Sequence, residues 1–246
     1  MFELTLSIPI EKQKYLLNFQ KKLTDDINGN MALCISHNHD GRNYLALAVD
    51  EKNKEFLKSQ VLDCVLDVII NEYKYNFFKD RLSSLSADVM MNPFLKAISI
   101  FDADCDLEVI RQEIDLSGEV VIDSFFYFKL SALKQRWQKT ADVIIKNGII
   151  QSDSAMIQVI KYLVDSAENF SLVASVKIGK KQLKIKNYKG SMKFKANQEG
   201  VSKFLTEIIG LNPLKINLIK NFDEEKHCKT YEILKEIFGE KIYLQN

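Results

Sequence analysis

The stretch IDSFFYFKLSALKQRWQKTADVIIKNGIIQSDSAMIQVIKYLVDSAE, residues 122–168, carries the clearest periodic pattern in the chain. Its apolar residues recur at steps of three and four, which places them on one face of an α-helix. The pattern predicts two amphipathic helices, over Ser124–Lys146 and Asp153–Glu168. Asn147-Gly148 predicts the end of the first helix, because both residue types tolerate left-handed backbone angles.

Ahead of these helices, residues 1–50 predict a β-α-β-β unit. Apolar and polar residues alternate at its start, as they do in a strand with one buried face. The predicted elements are a strand over Phe2–Ile10, a helix over Glu11–Ile27 and strands over Ala32–Ser36 and Tyr44–Val49. Asp40-Gly41, between the last two strands, is typical of a hairpin turn.

The remaining chain divides into a helical region, residues 51–170, and a C-terminal α/β unit, residues 171–246. The further helices of the helical region are predicted over Glu51–Leu82, Pro93–Phe101 and Asp104–Ile114. In the C-terminal unit we predict strands over Leu172–Ile178, Gln182–Asn187, Ser191–Lys195, Lys215–Ile219 and Lys241–Leu244, with helices over Gly200–Ile209 and Glu224–Phe238. Because the chain ends strand, helix, strand, we expect its last two strands to be parallel. The predicted fold class is α+β with a mixed C-terminal β-sheet, and we expect one compact body.

Composition indicates a globular protein in a reducing compartment. The 246 residues are 46% hydrophobic and 27% charged, with a net charge of +1, which is close to the average for globular domains. No apolar run approaches the roughly 20 residues of a membrane span, and the N-terminus lacks the pattern of a signal peptide. The four cysteines are scattered and form no C-x-x-C. We therefore predict a cytoplasmic protein, and the sequence predicts no cofactor.

Positive charge is concentrated between Ser171 and Ala196, a segment with eight lysines and no carboxylate. In Leu183–Lys186 and Met192–Lys195, lysines alternate with apolar residues. This alternation predicts a sheet with one buried face and one positive face. The candidate anion-binding residues are Lys177, Lys180, Lys181, Lys184, Lys186, Lys193 and Lys195.

Nucleic acid and anionic lipid are the ligands that such a face would attract. Tyr188, in the same segment, is an aromatic residue that can stack on a base. The alternative is a solvated face on which lysines discourage the pairing of exposed strand edges.

Several stretches resemble the YtxC family of sporulation proteins, over about Leu57–Leu244 and in the same order. The stretches that carry the resemblance are Asp67–Tyr73 (DVIINEY), Phe125–Leu130 (FFYFKL), Ile160–Asp165 (IKYLVD), Pro213–Asn221 (PLKINLIKN) and Ile233–Gly239 (ILKEIFG). Ser124 stands where the family has Gly, and Lys129 where it has Arg. A lysine there would weaken any bidentate contact made by that arginine.

The resemblance implies a role in endospore formation, and it brings no established enzymatic chemistry. We therefore expect a non-enzymatic binding protein with a protein partner. Nucleic-acid or anionic-membrane binding through the lysines is the first alternative, and an unrecognised enzyme is the second. The chain lacks G-x-x-x-x-G-K-[ST], G-x-G-x-x-G, G-x-S-x-G and H-E-x-x-H.

Two further clusters suggest metal ligands, each beside a simpler interpretation. His37, His39 and Asp40 can bind a transition metal, since imidazoles two residues apart on a strand point the same way, with His227 as a further ligand. The simpler interpretation is a polar turn. A second set matches positions 1, 3, 5 and 12 of a calcium loop: Asp102, Asp104, Asp106 and Glu113. Leu107 replaces the glycine that this loop requires, so an acidic helix start is the alternative.

Overall fold

The computed structural model describes residues 1–26, 31–82, 89–100, 103–167, 170–179, 181–187, 190–220 and 228–245. Its fold is α+β, as predicted. Close contacts group the chain into two units: unit 1 is Met1–Lys74 with Ala103–Gln138, and unit 2 is Tyr75–Asp102 with Lys139–Asn246. That the whole chain forms one compact body stays a prediction.

Unit 1 is built on a four-stranded sheet, the N-terminal sheet. Its strands are β1 (Phe2–Pro9), β2 (Met31–His39), β3 (Arg42–Val49) and β4 (Glu119–Val121), in the order β2-β3-β1-β4. The hairpin turn is where the sequence predicts it, with Asp40 and Gly41 at φ 45° and 72°. The short strand β4 pairs with β1 in parallel. It joins the predicted β-α-β-β unit from seventy residues further along the chain.

The helices of unit 1 contribute buried apolar residues to the core that lies beside this sheet. They include α1 (Lys14–Asp26), α2 (Lys54–Val68), α5 (Ala103–Glu113), α6 (Ile122–Lys129) and the first part of α7 (Ser131–Lys146). Leu6 and Leu45 of the sheet and Leu16 and Leu23 of α1 are fully buried. Ile27, the last residue of the predicted first helix, lies outside the described residues.

The helix predicted over Ser124–Lys146 is wrong in one respect, because it is two helices. The backbone leaves α-helical angles at Leu130 (φ −94°, ψ 38°), where α6 ends and α7 begins. The amine of Lys134 donates a hydrogen bond of 2.7 Å to the carbonyl oxygen of Tyr127, which the break leaves without a helical donor. The apolar stripe continues through the break, so periodicity alone does not show it. Trp137 is 2% exposed, as the stripe predicts.

Unit 2 contains a five-stranded mixed sheet, the C-terminal sheet. Its strands are β5 (Phe170–Ile178), β6 (Gln182–Asn187), β7 (Gly190–Lys195), β8 (Pro213–Lys220) and β9 (Ile242–Gln245), in the order β7-β6-β5-β8-β9. The expected parallel pairing of the last two strands is confirmed. Its helices are α3 (Tyr75–Leu82), α4 (Met91–Ile100), α8 (Asp153–Ser166), α9 (Gln198–Leu211), α10 (Cys228–Phe238) and the end of α7.

Five predicted helix boundaries in unit 2 can be compared with the structure or lie outside the described residues. Gly148 is left-handed at φ 62° and ends α7, as predicted. Helix α9 continues past the predicted stop at Ile209 and ends at Leu211, with Asn212 left-handed at φ 37°. Gly210 lies inside the helix, and a Cβ there would lie 2.7 Å from Cε of Lys96, the movable end of a flexible side chain. The predicted ends at Phe101, Glu168 and Glu224 lie outside the described residues.

Candidate functional site

The C-terminal sheet turns a row of lysines outward across three neighbouring strands. Lys184 of β6 lies directly opposite Lys177 of β5 on one side and Lys193 of β7 on the other. Lys186 and Lys195 lie two residues away on the same face. Apolar residues between them point to the other face, where Leu183 and Ile185 are 1% and 0% exposed. The predicted alternation of a buried and a positive face is therefore present.

The predicted lysines do not all belong to this face. Lys177, Lys186, Lys193 and Lys195 are exposed and Lys184 is half-buried. Lys181 is also exposed, but it lies in the turn before β6, where its carbonyl oxygen accepts a hydrogen bond of 3.1 Å from the backbone of Ala196. Lys180 and Tyr188 lie outside the described residues.

The same face continues over β8 and β9 with residues that sequence analysis missed. Lys215 lies opposite Val173, and Asn217 lies between Ser175 and Tyr243. The amine of Lys215 is 4.2 Å from the centroid of the half-exposed ring of Tyr243. Alternation in Pro213–Lys220 is the sequence signal for these residues, but only the parallel pairing with β5 shows which face they share.

We call the outward surface formed by six lysines the lysine face: Lys177, Lys184, Lys186, Lys193, Lys195 and Lys215. None of the five strands contains an aspartate or a glutamate. Because the strands themselves supply no carboxylate, six amines on one face raise the local concentration of anions through their summed potential.

Helix α9 holds β7 and therefore the edge of the lysine face in place. The side chain of Asn197 caps the helix by accepting a hydrogen bond of 2.9 Å from the backbone N–H of Gly200. A Cβ at Gly200 would lie 1.9 Å from the carbonyl oxygen of Lys195, so only glycine fits there. Phe194 of β7 meets Phe204 of α9 edge to face, with ring centroids 6.0 Å apart. The covered face of the sheet is thus packed by α9 while the lysine face stays exposed.

A second polar cluster lies in unit 1 around a π-helical segment, Ile69–Lys74, that follows α2 directly. Glu72 accepts a hydrogen bond of 3.2 Å from the hydroxyl of Tyr15. Tyr73 stacks on Phe126 with ring centroids 4.3 Å apart. Its hydroxyl is buried and has no hydrogen-bond partner among the described residues. Burial raises the pKa of both tyrosines, chiefly because water is excluded from their phenolates.

The last residue of this segment, Lys74, forms a buried ion pair. Its amine is 2.6 Å from Asp106, and the two side chains are 3% and 0% exposed. Arg136 donates a second hydrogen bond of 2.8 Å to Asp106, and the indole N–H of Trp137 a third of 3.4 Å. Three donors thus satisfy a carboxylate that would otherwise be costly to bury.

This arrangement contradicts the calcium-loop interpretation. Asp106 and Glu113 lie on the helix α5, not on a loop, and the oxygens of Asp106 already accept hydrogen bonds from cations. Asp102 lies outside the described residues, and so does the side chain of Asp104. The acidic residues belong to a helix, which was the alternative interpretation.

Arg42 and Asp123 form another ion pair in unit 1. The two guanidinium nitrogens of Arg42 lie 2.5 and 3.1 Å from the two oxygens of Asp123. Burial disfavours the ionised carboxylate, but the hydrogen bonds from Arg42 outweigh it and lower the pKa of Asp123. Arg42 also donates to the hydroxyl of Ser7, which in turn donates to Glu119, each over 3.4 Å. The network joins β4 and α6 to β1 and β3.

His37 and His39 point to the same side of β2, as predicted, with ring centroids 6.3 Å apart. His39 is 3.2 Å from Asp40, and both side chains are exposed. His227 lies outside the described residues. Over the parts of the chain that the structure describes, no group of three or more His, Cys, Asp or Glu side chains is arranged to hold a metal ion.

No family model, no curated protein and no solved structure matches this chain. Across the described ranges, none of the helices has the length and apolar character that crossing a membrane requires.

Proposed function

We propose that this protein binds a phosphate-rich polyanion on the lysine face, without catalysis. The observation that carries the proposal is the row in which Lys177, Lys184 and Lys193 lie directly opposite one another on adjacent strands. Like charges in directly opposed positions destabilise a sheet. A ligand with several negative charges neutralises that repulsion. Binding of such a ligand therefore explains why the chain keeps lysines in opposed positions.

The spacing of the amines favours a polymeric or multivalent ligand over a single phosphate. Neighbouring strands are about 4.8 Å apart, and alternate residues of one strand are about 7 Å apart. The stems of Lys177, Lys186 and Lys195 therefore start from three separate points of a broad surface. One phosphate group contacts only part of it, whereas a chain of phosphates can contact all of it.

The alternative, protection of a strand edge by lysines, accounts for only part of this surface. Lysines on an edge strand discourage pairing with other chains, and among the described strands β7, with Lys193 and Lys195, is at the edge. Lys177 lies on β5, the middle strand of the order, which is paired on both sides. Edge protection gives no reason for a lysine there.

For its cellular setting we propose the cytoplasm of a spore-forming cell and a role in endospore formation. The resemblance to the YtxC family supports the role, and the free cysteines Cys34, Cys64 and Cys105 support a reducing compartment. A protein partner, the first expectation from that resemblance, remains part of the proposal. Deletion of the gene should lower the count of heat-resistant spores, and an unchanged count would contradict the role.

Binding is tested with inorganic polyphosphate, labelled oligonucleotides and phosphatidylglycerol vesicles over a salt series. We expect at least one to bind the wild type, with an affinity that falls steeply with salt. For a single strand that engages all six lysines, log K should fall with log salt at a slope of about −4. The face variant replaces four lysines by glutamate: Lys184→Glu, Lys186→Glu, Lys193→Glu and Lys195→Glu.

A matched control variant makes the same change of net charge elsewhere in unit 2, on exposed helix positions. It carries Lys139→Glu, Lys146→Glu, Lys161→Glu and Lys235→Glu. We expect the face variant to lose binding and the control variant to keep most of it, with both folded by circular dichroism. No binding by the wild type at low salt, or equal losses in both variants, would overturn the proposal.

A further inference from the structure

The outward surface of the C-terminal sheet is divided into two chemically different halves. Five of its six lysines lie on β5, β6 and β7. The β8–β9 half presents uncharged groups beside one lysine: Asn217, Ile219 and Tyr243, with Lys215. Ile219 and Tyr243 are 37% and 50% exposed, so both are open to a ligand.

One row across the sheet connects the two halves with polar side chains. It runs Ser191, Lys186, Ser175, Asn217, Tyr243, each directly opposite the next. Hydroxyl and amide groups can donate and accept hydrogen bonds at once, as the edges of nucleobases require. A phosphate polymer without bases offers only acceptors, so it uses the donors of this row and leaves the acceptors unused.

Tyr243 supplies a stacking surface at the end of this row. The amine of Lys215 now lies over its ring, 4.2 Å from the centroid. Stacking of a base on an exposed aromatic ring is stronger than an exposed cation–π contact. A base can therefore replace the amine over the ring, which frees Lys215 to contact a phosphate.

Resting on the proposed function, we infer that the polyanion is single-stranded nucleic acid. Its phosphates lie over the lysines of β5–β7, and its bases lie over β8–β9 against Tyr243 and Asn217. A single strand has its charge along one side and its bases along the other, and the two halves of the sheet have the same division. A duplex keeps its base faces stacked inside, and a bilayer surface offers no base to Tyr243.

The test compares a 12-nucleotide oligo(dT) with an abasic oligonucleotide of the same length and the same number of phosphates. Fluorescence anisotropy measures both against the full-length wild type, Tyr243→Ala and Tyr243→Phe. We expect Tyr243→Ala to weaken oligo(dT) binding about 5- to 150-fold and to leave abasic binding unchanged. Tyr243→Phe should keep the affinity of the wild type, because the ring remains.

The outcomes separate this inference from the proposed function. If the abasic strand, the duplex or phosphatidylglycerol vesicles bind as well as oligo(dT), or Tyr243→Ala affects both strands equally, the inference is overturned while polyanion binding stands. If no polyanion binds, both are overturned. Retained abasic binding shows that Tyr243→Ala is folded, since that binding needs the lysines of the same sheet.

Discussion

Charged side chains are arranged in opposite ways in unit 1 and on the lysine face. In unit 1, Asp106 is fully buried and is surrounded by Lys74, Arg136 and the indole of Trp137 at 2.6, 2.8 and 3.4 Å. On the lysine face, Lys184 has a lysine directly opposite on each side. The first arrangement satisfies every charge it buries, and the second places like charges together at the surface.

The difference separates charges that the fold requires from charges that the fold only tolerates. A buried charge without its partner costs several kcal/mol, so the Asp106 network is needed for folding. Exposed amines are solvated and their repulsion is screened by salt, so the fold tolerates the lysine face. The lysines can therefore be changed at little structural cost, as the proposed binding role requires.

The largest expected effect comes from removing the carboxylate of Asp106 from its network in unit 1. Asp106→Ala leaves Lys74 buried without its carboxylate, because the amine is 3% exposed. We expect a loss of about 3–5 kcal/mol in the free energy of unfolding, measured by urea denaturation.

A double variant provides the control for this prediction. Lys74→Met with Asp106→Leu removes both charges and should recover most of the lost stability, since apolar pairs of similar volume often replace buried ion pairs. If Asp106→Ala were as stable as the wild type, the network around Asp106 would not contribute to the stability of the fold.

A smaller effect is expected at Tyr73, the polar group in unit 1 whose hydroxyl is buried without a partner among the described residues. Tyr73→Phe keeps the stacked ring on Phe126 and removes the unsatisfied hydroxyl. We expect unfolding to cost about 1 kcal/mol more than in the wild type, again by urea denaturation. If Tyr73→Phe were less stable than the wild type by about 1 kcal/mol, the hydroxyl would have a hydrogen-bond partner, such as a bound water.

The smallest effect is expected on the lysine face itself. Lys184→Gln removes the middle charge of the row and should raise the free energy of unfolding by about 0.2–1 kcal/mol at low salt. The gain should shrink as salt is added, because screening already weakens the repulsion. Lys161→Gln, on the exposed side of α8, is the matched control and should change little. A loss of stability at Lys184 would show that its stem contributes packing that outweighs the repulsion.

Local patterns were enough to predict most of the elements, and long-range pairing was not. Strand β6 was predicted at its observed bounds, because alternation over Gln182–Asn187 is uninterrupted. The joining of β4 to β1 could not be predicted, since three residues carry too little pattern to identify a partner strand. The break at Leu130 was missed for a related reason, because its side chain continues the apolar stripe.

The sequence predicted about half of the candidate site. The other half was missed because it depends on pairing between strands that are far apart in the chain. Alternation identified the lysines of β6 and β7, whose pairing is local. Lys215, Asn217 and Tyr243 reach the same surface only through parallel pairing of β5 with β8 and β8 with β9. Asp106 looked like a metal ligand because sequence spacing does not show the cations that a fold brings to a carboxylate.

The π-helical segment Ile69–Lys74 requires a fixed number of residues in this part of the chain. A π-turn closes hydrogen bonds from i to i+5 and so holds one more residue than an α-turn. Loss of a single codon here would let the helix close as a regular α-helix and turn each following residue by about 100°. Glu72, Tyr73 and Lys74 could not then all keep Tyr15, Phe126 and Asp106 as partners. Homologous genes should accordingly tolerate substitutions in this segment more readily than a change in its number of codons.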